Sequence, residues 1–254
     1  MGSLLHCDTE FGLENRERYL SMQPFPHIVI DDFIDGETLI QACEYFPAPS
    51  TVKWTQYDNP LEKKLMYSEY EGLDVSLTKV IDALNSPQFL LFLENLTGFQ
   101  NIIKDDQLVG GGLHQIEKEG KLDIHADFNI HYQTGNRRCL NLILFLNKDW
   151  KEDYGGHLEL WDREMKKCRR RVLPIFNRVV IFSTDETSYH GHPHPLTCPE
   201  GRTRKSIALY YYIKNHDNVK SHSTKYMKRP TEPEDEELDE FRRIRSIPKD
   251  QRNK

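Results

Sequence analysis

From Leu108 onward the apolar residues repeat with a period of two, and that pattern decides which folds are open to the chain. Leu113–Ile116, Leu122–Asp127, His157–Trp161, Arg178–Ser183 (RVVIFS) and Arg204–Ile213 (RKSIALYYYI) read as strands, and Gly120 and Gly155–Gly156 separate some of them. Arg138–Asn147 (RCLNLILFLN) is apolar almost throughout, as suits a strand buried on both faces. Alternation puts Asn141, Ile143 and Phe145 on one side of it and Leu140, Leu142 and Leu144 on the other. Gly110–Gly111–Gly112 is followed by no Lys or Thr at phosphate-loop spacing, so it reads as a strand lead-in. Many short strands with glycine turns predict a sandwich or jelly roll.

The first third reads differently. Pro26–Ile30 is a short strand. Gly36–Phe46 carries Leu39, Cys43 and Phe46 at helical spacing behind an Asp35 cap, and Asp74–Leu84 lines up Leu77, Val80, Ile81 and Leu84. Ser86–Pro87 restarts a helix that runs to Gly98. Val52–Glu71 shows no clear period, and its Trp54, Tyr57, Tyr67 and Tyr70 read as a lid or, in preference, as a patch packed on the sheet. The expected organisation is a support layer over 1–107, part of the same domain as a β core over 108–214, then a polar tail over 215–254. In the tail, PEDEELDEF precedes Arg242, Arg243 and Arg245. It is expected to be a solvated terminus, with an amphipathic helix over the site or a docking segment as the other readings.

With 254 residues and a formal charge of −6, the chain is not a general nucleic-acid binder. No apolar run reaches membrane-spanning length, Met1–Glu10 has no signal pattern, and the five cysteines include no CxxC pair. A reducing cytoplasm is the expected compartment.

His125–Ala126–Asp127 closes one predicted strand, and alternation points His125 and Asp127 the same way. Tyr189–His190–Gly191 supplies a third donor far along the chain. Two histidines and one carboxylate with open positions are the ligand set of non-haem Fe(II) oxygenases. His190–Gly191–His192–Pro193–His194 offers three imidazoles for the third place, with His192 facing as His190 does if the stretch is extended. His114 and His131 read as ordinary polar residues.

Taken in order, His125-x-Asp127, RCLNLILFLNKDW with Gly155–Gly156, RVVIFS, Tyr189-His190-Gly191-x-Pro193 and Arg204-x-Ser206 resemble the Fe(II)/2-oxoglutarate dioxygenases over about residues 110–214, in their prolyl-4-hydroxylase-like branch. The resemblance implies a mainly β protein with supporting helices, a double-stranded β-helix (jelly-roll) core backed by N-terminal α-helices. It implies Fe(II) held by His125, Asp127 and His190, with 2-oxoglutarate and O2 as cosubstrates and ascorbate as a reductant in vitro. Arg204 would grip the distal carboxylate of 2-oxoglutarate with Ser206 beside it, and Asn141, Ile143, Phe145, Leu158 and Tyr210 would line the pocket. In the oxygen-sensing relatives a tyrosine stands where this chain has Phe145, so that hydroxyl is missing here. The halogenase relatives have a small residue at the place of Asp127, so an aspartate implies hydroxylation.

The activity implied is hydroxylation of an unactivated C–H bond, first of a prolyl residue in a peptide or protein, otherwise of a free amino acid or other small metabolite. No nucleic-acid or membrane partner is expected. A non-catalytic cupin-like metal or ligand-binding module is the reading from another class, and it has no need of Arg204 with Ser206.

Overall fold

The computed structural model describes residues 4–217 and 219–248; Met1–Ser3 of the stretch read for a signal and residues 249–254 of the tail lie outside the described residues. The helices are α1 (Thr9–Glu14), α2 (Arg16–Ser21), α3 (Gly36–Glu44), α4 (Val75–Leu84), α5 (Pro87–Thr97) and α6 (Glu236–Ser246). The strands are β1 (His27–Ile30), β2 (Thr55–Asn59), β3 (Glu62–Tyr67), β4 (Ile103–Lys104), β5 (Gly112–Ile116), β6 (Lys121–Ala126), β7 (Arg137–Phe145), β8 (Leu158–Trp161), β9 (Cys168–Val172), β10 (Arg178–Ser183), β11 (His190–His192), β12 (Arg204–Ile213) and β13 (Lys225–Tyr226).

The helices start where side chains can satisfy their free amides. Asp35, Asp74 and Ser86 accept from the backbone N–H of Thr38, Ser76 and Phe89. Helix α5 stops at Gly98, whose φ of 82° is the left-handed turn that glycine adopts without strain. The buried faces of α4 and α5 (Leu77, Val80, Ile81, Leu84, Phe89, Phe92, Leu93, Leu96) share one core with Leu140, Leu142, Leu144, Leu209 and Tyr211 from β7 and β12. The strands therefore present one face to the helices and keep the other for the barrel interior.

The sheet runs β1-β10-β7-β12-β5-β3-β6-β11-β8-β9, with β13 beside β6, β2 beside β3 and β4 beside β12. Every pairing is antiparallel. The sheet curls until its ends share a second core, in which Phe25, just before β1, joins Val172 of β9, Phe145, Leu158, Leu160, Val180 and Phe182. This mostly β half-barrel is the double-stranded β-helix expected from the sequence.

Val52–Glu71, irregular or strand-like by its sequence, is a β2–β3 hairpin; Trp54 and Tyr67 pack into the helix-side core, as the preferred reading has it, Tyr70 lies against it, and Tyr57 stays half-buried on the hairpin under Lys64. Two stretches correct the sequence reading. Strand β9 passes unnoticed in the sequence because Arg169, Arg170 and Arg171 give it no apolar alternation. The described part of the tail is not wholly solvated, although the acidic residues of α6 are largely exposed. Strand β13 extends the sheet beside β6, and α6 buries Arg242.

Candidate active site

His125 lies near the end of β6, Asp127 just beyond it, and His190 opens β11 opposite His125 in register. The antiparallel pair thus brings two distant parts of the chain side by side. Gly191 is required here: a Cβ would meet the Asp123 and Leu122 carbonyl oxygens at 2.8 Å, so any larger residue would push β11 off β6. His125 Nε2 lies 3.5 Å from Asp127 Oδ1, and His190 Nε2 lies 3.5 Å from Asp127 Oδ2. The donor atoms of the three all fall within 4.8 Å of one another. These separations are short enough for one metal ion to be held by all three side chains.

Backbone carbonyls orient both imidazoles. His125 Nδ1 is 2.8 Å from Asp123 O and His190 Nδ1 is 2.9 Å from Ser188 O. A carbonyl only accepts, so each Nδ1 carries the proton and each Nε2 turns its lone pair inward. Burial and the neighbouring His125 push His190 down to about 4, which keeps it neutral and able to ligate. Burial alone would raise the Asp127 carboxyl. The Arg138 guanidinium and the two imidazoles outweigh it and hold Asp127 well below the usual carboxylate range.

Arg138 is the residue the sequence reading missed. Its Nη1 donates to Asp127 Oδ2 at 2.9 Å, and Asn141 Nδ2 donates to the same oxygen at 2.6 Å. The guanidinium is sandwiched between Phe128 and Tyr210, at 3.8 and 3.7 Å from the ring centroids. Simple alternation would point Arg138 outward with Leu140. The β12–β7 register instead slips between Tyr211 (opposite Leu140) and Tyr212 (opposite Arg138), leaving Cys139 as an extra residue. That bulge turns Arg138 to the inner face.

The other expected residues divide between two ends of the interior. Asn141 and Tyr210, paired in register, stand at the metal-binding end, and Tyr210 also donates its hydroxyl to Gly110 O at 2.9 Å. Arg204, Ser206 and Phe145 meet at the other end, where Ser206 faces Phe145 in register and the Arg204 guanidinium lies 4.9 Å from the Phe145 ring. Ile143 and Leu158 pack between as apolar wall. Arg204 is 4% exposed, its Nε donates to Gly156 O at 2.8 Å, and burial pushes it down to about 9. Gly156, with φ 72°, leaves the room it needs, since a Cβ there would lie 2.9 Å from Arg204 Cδ. Arg202 points elsewhere, bonding the Lys148 carbonyl. His131 pairs with Asp105 at 3.4 Å, away from the triad.

The C-terminal segment covers the free edge of the metal-binding strand. Tyr226 lies opposite His125 with ring centroids 5.5 Å apart, and Met227 N–H donates to Ile124 O at 2.8 Å. Arg245 of α6 ion-pairs with Glu62 of β3, which is 2% exposed and also holds Lys64 at 3.4 Å.

A cluster of two imidazoles and one carboxylate fits a divalent metal, and a buried guanidinium at the far end fits the carboxylate of an organic acid. Comparison with known proteins agrees. The profile of the 2OG-Fe(II) oxygenase superfamily matches residues 111–212. Prolyl 3-hydroxylase OGFOD1 of Mus musculus is 24% identical over 210 residues, covering 81% of this chain and 36% of that protein. Prolyl hydroxylase EGLN3 of Mus musculus is 32% identical over 80 residues, or 31% of each chain. The chain thus aligns with about a third of the length of these curated relatives. A Trichoplax adhaerens prolyl hydroxylase, solved in complex with a hypoxia inducible factor peptide fragment, superposes with TM-score 0.57 at 17% identity over 78% of this chain and 88% of that one, which speaks for the fold. Residues 111–212 thus carry the profile of the 2OG-Fe(II) oxygenase superfamily on a matching fold, and the chain is similar to prolyl hydroxylases.

Proposed function

We propose that the chain is an Fe(II)- and 2-oxoglutarate-dependent dioxygenase that hydroxylates a prolyl residue in a peptide or protein. The observation that carries this reading is the pairing, on one inner face, of the His125–Asp127–His190 cluster with a buried Arg204 that has no carboxylate partner among the described residues. A metal-binding module would need the first and not the second. The prolyl residue is supported by the two relatives, both prolyl hydroxylases by name.

In this reading His125, Asp127 and His190 are the metal ligands. Fe(II) with 2-oxoglutarate and O2 supplies, when bound, the oxidising power for C–H hydroxylation, releasing succinate and CO2. The protein's own part is orientation and dryness. The Asp123 and Ser188 carbonyls fix the two imidazoles, and Arg138 and Asn141 fix the carboxylate. Arg204 takes the distal carboxylate of 2-oxoglutarate through its guanidinium fork, and Ser206 can add its hydroxyl. Phe145, Leu158, Val180 and Phe182 keep water from the wall, which strengthens every polar contact inside. Residues 1–107 and 108–214 act as one domain, supported by their shared core. A cytoplasmic setting is supported by five cysteines that are all free thiols.

The test is incubation with Fe(II), ascorbate and 2-oxoglutarate, with proline-containing peptides and free amino acids as separate substrates, read by mass gain of one oxygen. Wild type should hydroxylate a peptide and release succinate. His125→Ala, Asp127→Ala and His190→Ala should each abolish turnover and strongly weaken Fe(II). Oxygen gain by a free amino acid alone would move the substrate to small metabolites. Fe(II) binding without any 2-oxoglutarate binding would leave only the metal-binding module.

A further inference from the structure

One buried side chain on the inner wall has no partner in the site as described. His192 is 3% exposed, and neither of its ring nitrogens has a hydrogen-bond partner among the described residues. Buried imidazole nitrogens seldom go unpaired, so a ligand that pairs one of them is favoured. Its neighbours are cationic or basic: Arg204, Lys64, His125 and His114 all act on it electrostatically. The nearby acids are already engaged, Asp127 with Arg138 and Glu62 with Lys64 and Arg245. This wall carries an excess of positive charge in a dry place, which suits an anion.

The other basic groups are more engaged than His192. Lys64 is held by Glu62 at 3.4 Å. His114 Nε2 is 3.1 Å from Gly110 O, so its N–H is spent on that carbonyl and its other nitrogen can only accept. Among the described residues, Arg204, which uses Nε alone on the protein, and His192, which uses neither ring nitrogen, are buried nitrogen donors left open here, beside the Ser206 hydroxyl. His192 lies two residues beyond His190 on β11 and faces the same way. Strand β11 runs from His190 opposite Leu160 toward the Leu158 end of β8, and Leu158 shares a core with Phe145, whose ring is 4.9 Å from the Arg204 guanidinium. Phe145, opposite Ser206, brings an aromatic ring and no hydroxyl to that end.

Resting on the reading of 2-oxoglutarate as cosubstrate, we infer that His192 is a binding and specificity residue for it: one ring N–H donates to the distal carboxylate beside Arg204, and the ring takes no part in holding the metal. The neutral imidazole thereby supplies the donor that Phe145 cannot.

The experiment is an oxygen-free titration of the Fe(II) protein, following the metal-to-ligand charge-transfer band. The ligands are 2-oxoglutarate and 2-oxopentanoate, which has the same chelating end but no distal carboxylate. The proteins are wild type, His192→Leu and His192→Gln. One hydrogen bond to a charged group corresponds to a loss of roughly ten- to a hundredfold in 2-oxoglutarate affinity for His192→Leu. His192→Gln keeps a donor and should recover most of it. Fe(II) affinity should be unchanged in both variants, and 2-oxopentanoate should bind wild type and His192→Leu alike. If wild type itself binds no 2-oxoglutarate, the functional reading fails. If wild type binds it and His192→Leu binds it equally well, the role of His192 fails alone. Loss of Fe(II), or an equal loss for both ligands, would make His192 a metal ligand or a packing residue and overturn the inference. Should His192→Leu not fold, His192→Val takes its place in the same comparison.

Discussion

The barrel is supported on two sides by opposite physics. On the N-terminal side α4 and α5 bury Leu77, Val80, Leu84, Phe89, Phe92 and Leu93 against β7 and β12, with Tyr211 donating one hydrogen bond to Leu84 O. On the C-terminal side α6 buries a single residue, and it is an arginine. Arg242 reaches Glu232, Asp239 at 2.7 Å and Asp123 at 3.8 Å, while Arg245 reaches Glu62. Apolar burial is non-directional and indifferent to pH; ion pairs need each partner in place and in the right protonation state. The difference matters because the ionic side is the one that holds β13 against β6, the strand carrying His125.

The apolar side should show the largest effect. Phe92→Ala empties a site that is 1% exposed and should lower global stability by about 3–5 kcal/mol, read from chemical denaturation, while the folded fraction keeps its affinity for Fe(II). A cost below about 1 kcal/mol would mean that the helices are not the main support. Arg242→Met comes next. It strands Glu232 and Asp123 near one another without their shared cation, and breaking a buried pair costs up to about 3–5 kcal/mol. Because the segment is peripheral, detachment caps that cost. The expected outcome is faster amide exchange over 225–246 with α5 unchanged; equal acceleration in both places would erase the distinction between the two sides.

The smallest effect is that of acid. Glu62 is buried and Glu232 half-buried, which alone would raise them, yet Lys64 and Arg245 around Glu62, and Arg229 and Arg242 around Glu232, hold both below their ordinary 4.5. A lowered carboxyl stabilises the fold above its unfolded value, and the contribution is lost as pH falls through the lowered one. Asp123 has the opposite sign: burial raises it above 3.8, so its protonation favours the folded state and offsets part of the loss. Amide protection over 225–246 should stay level from about pH 7 to 5 and decline below the glutamate value, with α5 unaffected throughout. A decline of both regions together would put the weak point elsewhere.

What could be seen in the sequence follows the same division. Helices α4 and α5 were legible because Asp74, Ser86, Pro87 and Gly98 mark their ends and one stripe of apolar side chains marks their buried face. The long strands were legible for the same reason, and HxD with a distant HGxP placed the metal cluster. The ionic side was not, because a local pattern says nothing of Arg245 meeting Glu62 or Arg242 meeting Asp123 across most of the chain. Helices α1 and α2, of six residues each, are too short to show a stripe. Arg138 is hidden by a register slip that alternation cannot reveal, and the sequence presents His192 only as a rival metal ligand, since its cationic surroundings exist only once the strands are paired.

The slip at Cys139 can be stated as a matter of phase. A strand is a wave of period two, and one extra residue delays it by half a period. On the far side of the delay the wave delivers Leu140, Leu142 and Leu144 to the helices; on the near side it delivers Arg138 to Asp127. Two demands that would clash on a regular strand are met by the same nine residues. Residues gained or lost in the loop before Arg137 leave that phase untouched. Loss of Cys139 would make the strand regular and leave Arg138 facing the carboxylate, because it would then stand directly before Leu140, whereas straightening the strand with Cys139 kept would turn Arg138 to the helices.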